Sequence, residues 1–221
     1  MDLFDDLPLP AEAARQTLAP GAVLLRAWAC THDAQVLQAL QTVLQQAPLR
    51  HMQTPGGYTM SVGTSSCGSL GWISDRHGYR YAACDPVSGL AWPAMPDCFF
   101  DLAQRAAAQA GYADFVPEAC LINQYLPGAK LSLHQDRDEK DLTAPIVSVS
   151  LGLPAIFQFG GLERSWRPQR LRLVHGDVVV WGGPSRLAFH GVLPLAEGCH
   201  DLLGQRRINL TFRRVGLRLR A

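Results

Sequence analysis

A mainly β chain with flanking helices, arranged as a jelly roll, is predicted from three features of the sequence. Between 119 and 215, apolar and β-branched runs recur between Gly and Pro breaks: ACLINQYL, KLSLHQD, PIVSVSLGL, AIFQFGG, RLRLVHGDVVVWGG, RLAFHGVLPL and RRINLTFRR. Runs of this length at this spacing suit an antiparallel sandwich or barrel. Helical periodicity is confined to the first half of the chain, so helices are expected to pack outside the roll. Strands and helices do not alternate as they do in a doubly wound sheet, which removes the main competing architecture.

The elements follow in order. Residues 1–50 read as an N-terminal arm, loose over the first thirty, followed by a helix. Thr31 is expected to N-cap that helix, its apolar face holds Val36, Leu37, Leu40, Val43 and Leu44, and Pro48 ends it. Residues 51–95 are rich in Gly, Ser and aromatics, a composition for short hairpins and mobile turns, and form the most lid-like stretch. Residues 96–118 carry a supporting helix from Asp97 to Ala110, with Phe99, Leu102, Ala103, Ala106 and Ala110 available for burial and Gly111 as its stop. The jelly-roll core then occupies 119–215. At 221 residues, 48% of them hydrophobic, the chain is expected to form one domain around one sizeable core.

Charge is nearly balanced, with 20 Lys plus Arg against 19 Asp plus Glu, which argues neither for a nucleic-acid-coating protein nor for an acidic disordered chain and is silent about partners. The opening MDLFDDLPLP is acidic and broken by prolines, unlike a secretory leader, and no apolar run reaches membrane-spanning length. A soluble, cytoplasmic monomer without membrane contact is expected. The 6 cysteines form no C-x-x-C pair, against both a structural zinc site and a disulfide framework; most are expected to be buried thiols in a reducing compartment.

The chemistry starts at His134-Gln135-Asp136. On an extended strand alternate side chains share a face, so His134 and Asp136 project together and Gln135 points away. His190, in Ala188-Phe189-His190-Gly191-Val192, offers a third ligand from the end of another apolar strand. Two imidazoles and one carboxylate on one side of a metal are the facial triad of non-haem Fe(II) oxygenases, with positions left open for cosubstrate and dioxygen. Alone, H-x-D is a weak signal: the same residues also read as a hydrogen-bonded surface pair and a turn histidine.

The run from Arg206 to Arg214 shifts the balance. As a strand it places Ile208, Leu210 and Phe212 on one face and Arg207, Asn209, Thr211 and Arg213 on the other. The two arginines stand about 20 Å apart at roughly 3.3 Å per residue, and leaning inward they leave a gap of about 6 Å, enough for a five-carbon diacid. Guanidinium matches both oxygens of a carboxylate, so each arginine is a candidate for one end of 2-oxoglutarate. A solvated edge strand shows the same alternation.

N-x-Y-x-P-G at 123–128, H-x-D-x-D at 134–138, the distal His190 and R-x-N-x-T-x-R at 207–213 form a specific combination. With TPGGYTMSV, LGW, WPAMP and HGDVVVWGG, the chain resembles the AlkB family of alkylated nucleic-acid repair dioxygenases from about Ala22 to Arg213. The resemblance implies a double-stranded β-helix whose lid, 51–95, recognises nucleotides. It implies Fe(II), 2-oxoglutarate and O2, with His134, Asp136 and His190 matching the iron ligands. Arg207 and Arg213 match the pair that grips 2-oxoglutarate, with Arg207 at the distal carboxylate, and Asn123, Tyr125 and Asn209 match residues that hydrogen-bond it.

On the substrate side, Trp72 matches the aromatic that stacks on the damaged base, with the His134 imidazole on the base's other face. Tyr79, Thr54, Lys130, Gln135 and Arg137 match or adjoin contacts to the nucleic-acid backbone, Asp138 would favour a cationic alkylated base, and Arg164 resembles a residue of the lid rim. The implied partner is alkylated single- or double-stranded DNA, with RNA as a further candidate. The implied reaction is oxidative demethylation of bases such as 1-methyladenine and 3-methylcytosine, with release of formaldehyde, succinate and CO2. An oxygenase acting on a protein side chain or metabolite is the alternative. The sequence departs from the bacterial pattern at 163–168 and in the basic tail VGLRLRA.

Overall fold

The structure, a computed structural model, describes residues 15–216. Its strands run in chain order as β1 (Arg15–Ala19), β2 (Ala22–Leu25), β3 (Arg50–Gln53), β4 (Thr59–Gly68), β5 (Gly71–Asp75), β6 (Gly78–Ala82) and β7 (Ala119–Tyr125), then β8 (Leu131–His134), β9 (Ile146–Gly152), β10 (Ala155–Phe159), β11 (Gln169–Leu173), β12 (Val178–Trp181), β13 (His190–Val192) and β14 (Arg207–Arg213). Helices α1 (Asp33–Gln46) and α2 (Asp97–Gln109) interrupt them before β3 and β7. Each apolar run singled out from the sequence between 119 and 213 becomes one or two of the strands β7 to β14.

Among the described residues, β1-β2-β12-β9-β14-β7-β4-β3 form an eight-stranded sheet, β11-β10-β13-β8 a four-stranded one, and β5-β6 a separate hairpin. Every pairing is antiparallel. The larger sheet is buried on both faces. On one, Ile208, Leu210 and Phe212 of β14 pack with Ile122, Val147 and Val149 against Val36, Leu40 and Val43 of α1 and Phe99, Leu102 and Ala106 of α2. On the other, Leu24, Ile146 and Trp181 meet Phe157, Phe159, Leu173 and Val192 of the smaller sheet. The layers are thus helices, large sheet and small sheet, as a jelly roll with external helices requires. Full burial of side chains such as Phe212 or Leu210 contributes about 1.5–3 kcal/mol each.

Several expectations need correction. The first thirty residues are not wholly loose, because residues 15–25 form the β1–β2 hairpin, which extends the large sheet beside β12. Residues 1–14 and the tail beyond 216 lie outside the described residues. Thr31 does not cap α1: it sits in a 3-10 turn, Cys30–His32, that leads directly into the helix, and His32 takes the cap position without a side-chain bond. A continuous turn of 3-10 backbone supplies what a capping hydroxyl would have supplied. Of the cysteines only Cys67 and Cys120 are buried, facing each other across β4 and β7; Cys30, Cys84 and Cys199 are exposed. Asp136 lies past the end of β8, which stops at His134.

The end of α2 follows expectation. Gly111 adopts φ +97, which a side chain resists, and the Tyr112 amide turns back to the Ala107 carbonyl. None of the described helices is long and apolar enough to cross a membrane.

Candidate active site

β8 and β13 are neighbours in the small sheet, and their register sets His190 directly opposite His134. Gly191 allows this approach, because a Cβ there would lie 2.7 Å from the Leu131 carbonyl oxygen. The imidazole centroids are 4.3 Å apart. Each ring is oriented by the same device: Nδ1 meets the backbone carbonyl two residues earlier, Ser132 at 2.9 Å for His134 and Ala188 at 3.0 Å for His190. Donation from Nδ1–H leaves both Nε2 lone pairs free to bind a metal.

Asp136 completes the group. Its Oδ1 lies 3.5 Å from His134 Nε2 and 3.8 Å from His190 Nε2, and one ligand atom from each of the three residues falls within 4.8 Å of the others. Two imidazole nitrogens and a carboxylate oxygen, converging from one side with tautomers preset, fit a ferrous ion that keeps open positions. Burial, reinforced by the nearby His134, pushes the His190 imidazole down to about 4, which keeps it unprotonated and ready to ligate at neutral pH. Burial acts against the charge on His134 as well, but the hydrogen bond and charge of Asp136 outweigh it and raise that imidazole. Burial alone would raise the Asp136 carboxyl; Arg213, His190 and His134 together hold it well below the usual carboxylate range.

Strand β14 supplies the second half of the site. The faces separate as the alternation predicts, with Ile208, Leu210 and Phe212 in the helix-side core and Arg207, Asn209, Thr211 and Arg213 in a cavity of about 830 Å³. Arg207 is 1% exposed; its Nη2 donates to Ser150 Oγ at 3.0 Å and its guanidinium lies 4.9 Å over the Tyr125 ring. Its Nε and Nη1 have no hydrogen-bond partner, and it pairs with no carboxylate among the described residues. A buried cation with idle donors is costly unless an anion meets it, so this arginine fits the carboxylate of a small acid. Desolvation correspondingly lowers its pKa. Asn209 donates to Ser148 Oγ at 2.8 Å and accepts from Thr211 at 2.8 Å, while Asn123, directly opposite it on β7, accepts from Thr64 at 3.4 Å.

Arg213 is placed differently from Arg207. Its Nε donates to Asp136 Oδ2 at 3.0 Å, its Nη2 makes a second short bond to the same oxygen, and Nε lies 3.3 Å from Glu139 Oε1. The sequence reading missed Glu139, Arg186 and Tyr81, which complete this network. Glu139, 6% exposed, accepts from the Tyr81 hydroxyl at 2.6 Å and from Arg186 Nη2 at 3.0 Å, and Arg186 Nη1 donates to the Asp136 carbonyl at 2.7 Å. Within RDEKD nothing local marks Glu139 as buried, since its partners come from β6, β14 and the turn before β13.

At the mouth of the cavity the β5–β6 hairpin presents Trp72 stacked on Tyr79, with centroids 5.5 Å apart and planes 13° from parallel. The indole Nε1 donates to Asp138 Oδ2 at 3.1 Å, so Asp138 holds the aromatic pair in place. Gln135 donates to the Leu187 carbonyl at 2.6 Å, Thr54 Oγ1 accepts from the Tyr58 amide at 3.2 Å, and Arg164 lies 5.9 Å over Phe189. Every metal, cosubstrate and substrate residue proposed from the sequence, Lys130 and Arg137 included, lines this one cavity.

The geometry agrees with comparisons to known proteins. A family model described as the 2OG-Fe(II) oxygenase superfamily matches residues 21–213. The chain is 58% identical over 216 residues to the alpha-ketoglutarate-dependent dioxygenase AlkB of Escherichia coli K12, covering 98% of each chain. The chain belongs to the AlkB family of that superfamily. It is 35% identical over 132 residues to the human nucleic acid dioxygenase ALKBH1, covering 58% of this chain and 34% of that one. The solved structure of OsALKBH1 superposes with a TM-score of 0.78 at 29% identity, covering 90% of this chain and 99% of that one. As an AlkB-family dioxygenase, this enzyme uses Fe(II), 2-oxoglutarate and O2.

Proposed function

We propose that this enzyme repairs alkylated DNA by removing N-methyl groups oxidatively from bases such as 1-methyladenine and 3-methylcytosine. The observation that carries the reading is one cavity joining three features: the His134, Asp136 and His190 cluster, the anion-seeking Arg207, and the Trp72–Tyr79 platform at its mouth. When bound, the iron with 2-oxoglutarate and dioxygen supplies the oxidation, converting the cosubstrate to succinate and CO2 and the methyl group to a hydroxymethyl that leaves as formaldehyde.

The side chains have distinct parts in this. His134, Asp136 and His190 hold the iron. Arg207 takes the distal carboxylate of 2-oxoglutarate with Tyr125, Asn123 and Asn209 around it, and Arg213 fixes Asp136 beside the keto-acid end. Trp72 and Tyr79 form one wall for a base taken out of its helix, with residues 51–95 acting as the lid. Asp138 anchors the indole and adds negative charge beside a cationic lesion. Lys130, Arg137, Arg164, Thr54 and Gln135 steady the sugar-phosphate chain, contacts that position a strand without reading its sequence. The enzyme acts as a monomer in the cytoplasm. The nucleic-acid class is supported by the human relative, a nucleic acid dioxygenase; RNA is a second substrate of the same chemistry.

The test is a single-stranded oligodeoxynucleotide carrying one 3-methylcytosine, incubated with enzyme, Fe(II) and 2-oxoglutarate. Loss of one methylene mass unit from the strand, with formaldehyde and succinate in equal amounts, is expected. Succinate without change in the mass of any methylated strand would reject the nucleic-acid reading.

A further inference from the structure

Residues 162–167 form an exposed turn between β10 and β11, beside the mouth of the cavity, and only Arg164 among them has been given a part above. At its centre stands Trp166, an indole left 53% exposed. It is not loose. Its ring packs against Gly161, where an added Cβ would meet it at 2.0 Å, and its amide donates to the Glu163 carbonyl at 3.1 Å. Gly161 in turn accepts from the Phe189 amide at 2.9 Å, and Phe189 directly precedes His190. The indole is therefore mounted on the same framework that carries one of the three metal-ligating side chains.

Its surroundings are basic. Residues 162–172 hold four arginines against one glutamate, in a chain whose overall formal charge is only +1. Arg164, Arg167 and Arg170 are exposed and form no salt bridge among the described residues. Arg164 also lines the cavity, which makes the patch continuous with the site. A half-exposed aromatic packed on one side, among cations without salt bridges, matches what a single-stranded nucleic acid needs, a stacking face beside charges that meet its phosphates. An indole already packed against backbone on one side has less freedom to lose when a base covers it.

We propose that Trp166 is a second base platform, stacking a base of the substrate strand that flanks the one inserted against Trp72, while Arg164, Arg167 and Arg170 meet the phosphates between them. This rests on the nucleic-acid reading above and extends it from one base to a run of several. The platform makes turnover depend on strand length: a methylated mononucleotide cannot reach it, and a longer strand can.

The experiment compares wild type, Trp166→Ala and Trp166→Phe on 3-methylcytidine monophosphate and on oligothymidylates of 5 to 15 nucleotides with one central 3-methylcytosine. Trp166→Ala is expected to lower kcat/KM on the longest strand by about tenfold, within the range that base stacking supports, to leave the mononucleotide unchanged, and to be rescued by Trp166→Phe. Arg167→Ala is expected to reduce the salt dependence of binding by about 0.7 in log–log slope, the contribution of one phosphate contact on a single strand. Values for Trp166→Ala within twofold of wild type on every length would overturn the proposal. A second readout is independent of catalysis: unmethylated oligothymidylate is expected to quench the fluorescence of wild type more than that of Trp166→Phe. Equal quenching overturns the platform even if demethylation is observed, and greater wild-type quenching supports it even if no methylated strand is turned over, an outcome that would reject only the repair reading.

Discussion

Arg213 and Asp136 share a two-sided contact: the guanidinium holds Oδ2 from Nε at 3.0 Å, while the other oxygen, Oδ1, faces the Nε2 atoms of His134 and His190. One carboxylate thus has a structural oxygen and a metal-facing oxygen, and the arginine decides which is which. Replacing Arg213 by Met leaves Asp136 and Glu139 as buried carboxylates that lack their shared cation. Breaking one partner out of a buried network costs about 3–5 kcal/mol, so the urea midpoint at neutral pH should fall accordingly, and iron affinity should fall with it.

Tyr81 links the β5–β6 hairpin to the same network through its 2.6 Å bond to Glu139. Tyr81→Phe removes one hydrogen bond to a charged acceptor, worth about 1.5–3 kcal/mol. Because that bond ties the hairpin to the roll, backbone amides of residues 71–82 should exchange faster by about tenfold or more, while those of β9 and β14 stay unchanged. Uniform acceleration across the sheet would show that the tie is global instead.

Arg207 is expected to carry the affinity for 2-oxoglutarate. Arg207→Ala should weaken cosubstrate binding by about 2–5 kcal/mol in calorimetric titrations of the Mn(II)-loaded protein. Arg207→Lys should recover only part of it, since an ammonium cannot reproduce the planar fork of donors.

Gly152 sits opposite Arg207 across β9 and β14 at φ +87, and a Cβ there would lie 2.4 Å from the Arg206 carbonyl oxygen. Gly152→Ala combines backbone strain with a clash against main chain that cannot rotate away. A loss of about 2–4 kcal/mol in denaturant unfolding is expected, with a weaker grip on 2-oxoglutarate because Arg207 moves with its strand.

Trp72→Ala should raise KM for a methylated strand by about tenfold, consistent with about 1–3 kcal/mol for a base stacked on an aromatic. The affinity for 2-oxoglutarate should not change, because the indole stands at the mouth and makes no contact with Arg207. An equal loss of cosubstrate affinity would place Trp72 in the framework rather than at the base.

The sequence by itself determined what is local. The two-residue period of β14 sorted Ile208, Leu210 and Phe212 from Arg207, Asn209, Thr211 and Arg213, because alternation follows from extended backbone alone. Gly111 marked the end of α2 because only glycine is at ease there. Metal-binding residue types also declared themselves by chemistry. Tertiary structure decided what depends on register and on partners far along the chain. His190 is a ligand because β13 pairs with β8 at that offset and no other, and residues 15–25 are strands because β12 offers them an open edge. Glu139 carries no local sign of burial, and only folding closes Arg186, Arg213 and Tyr81 around it. A charge enters a protein interior only when other groups replace its water, and those groups are brought together by folding rather than by sequence proximity.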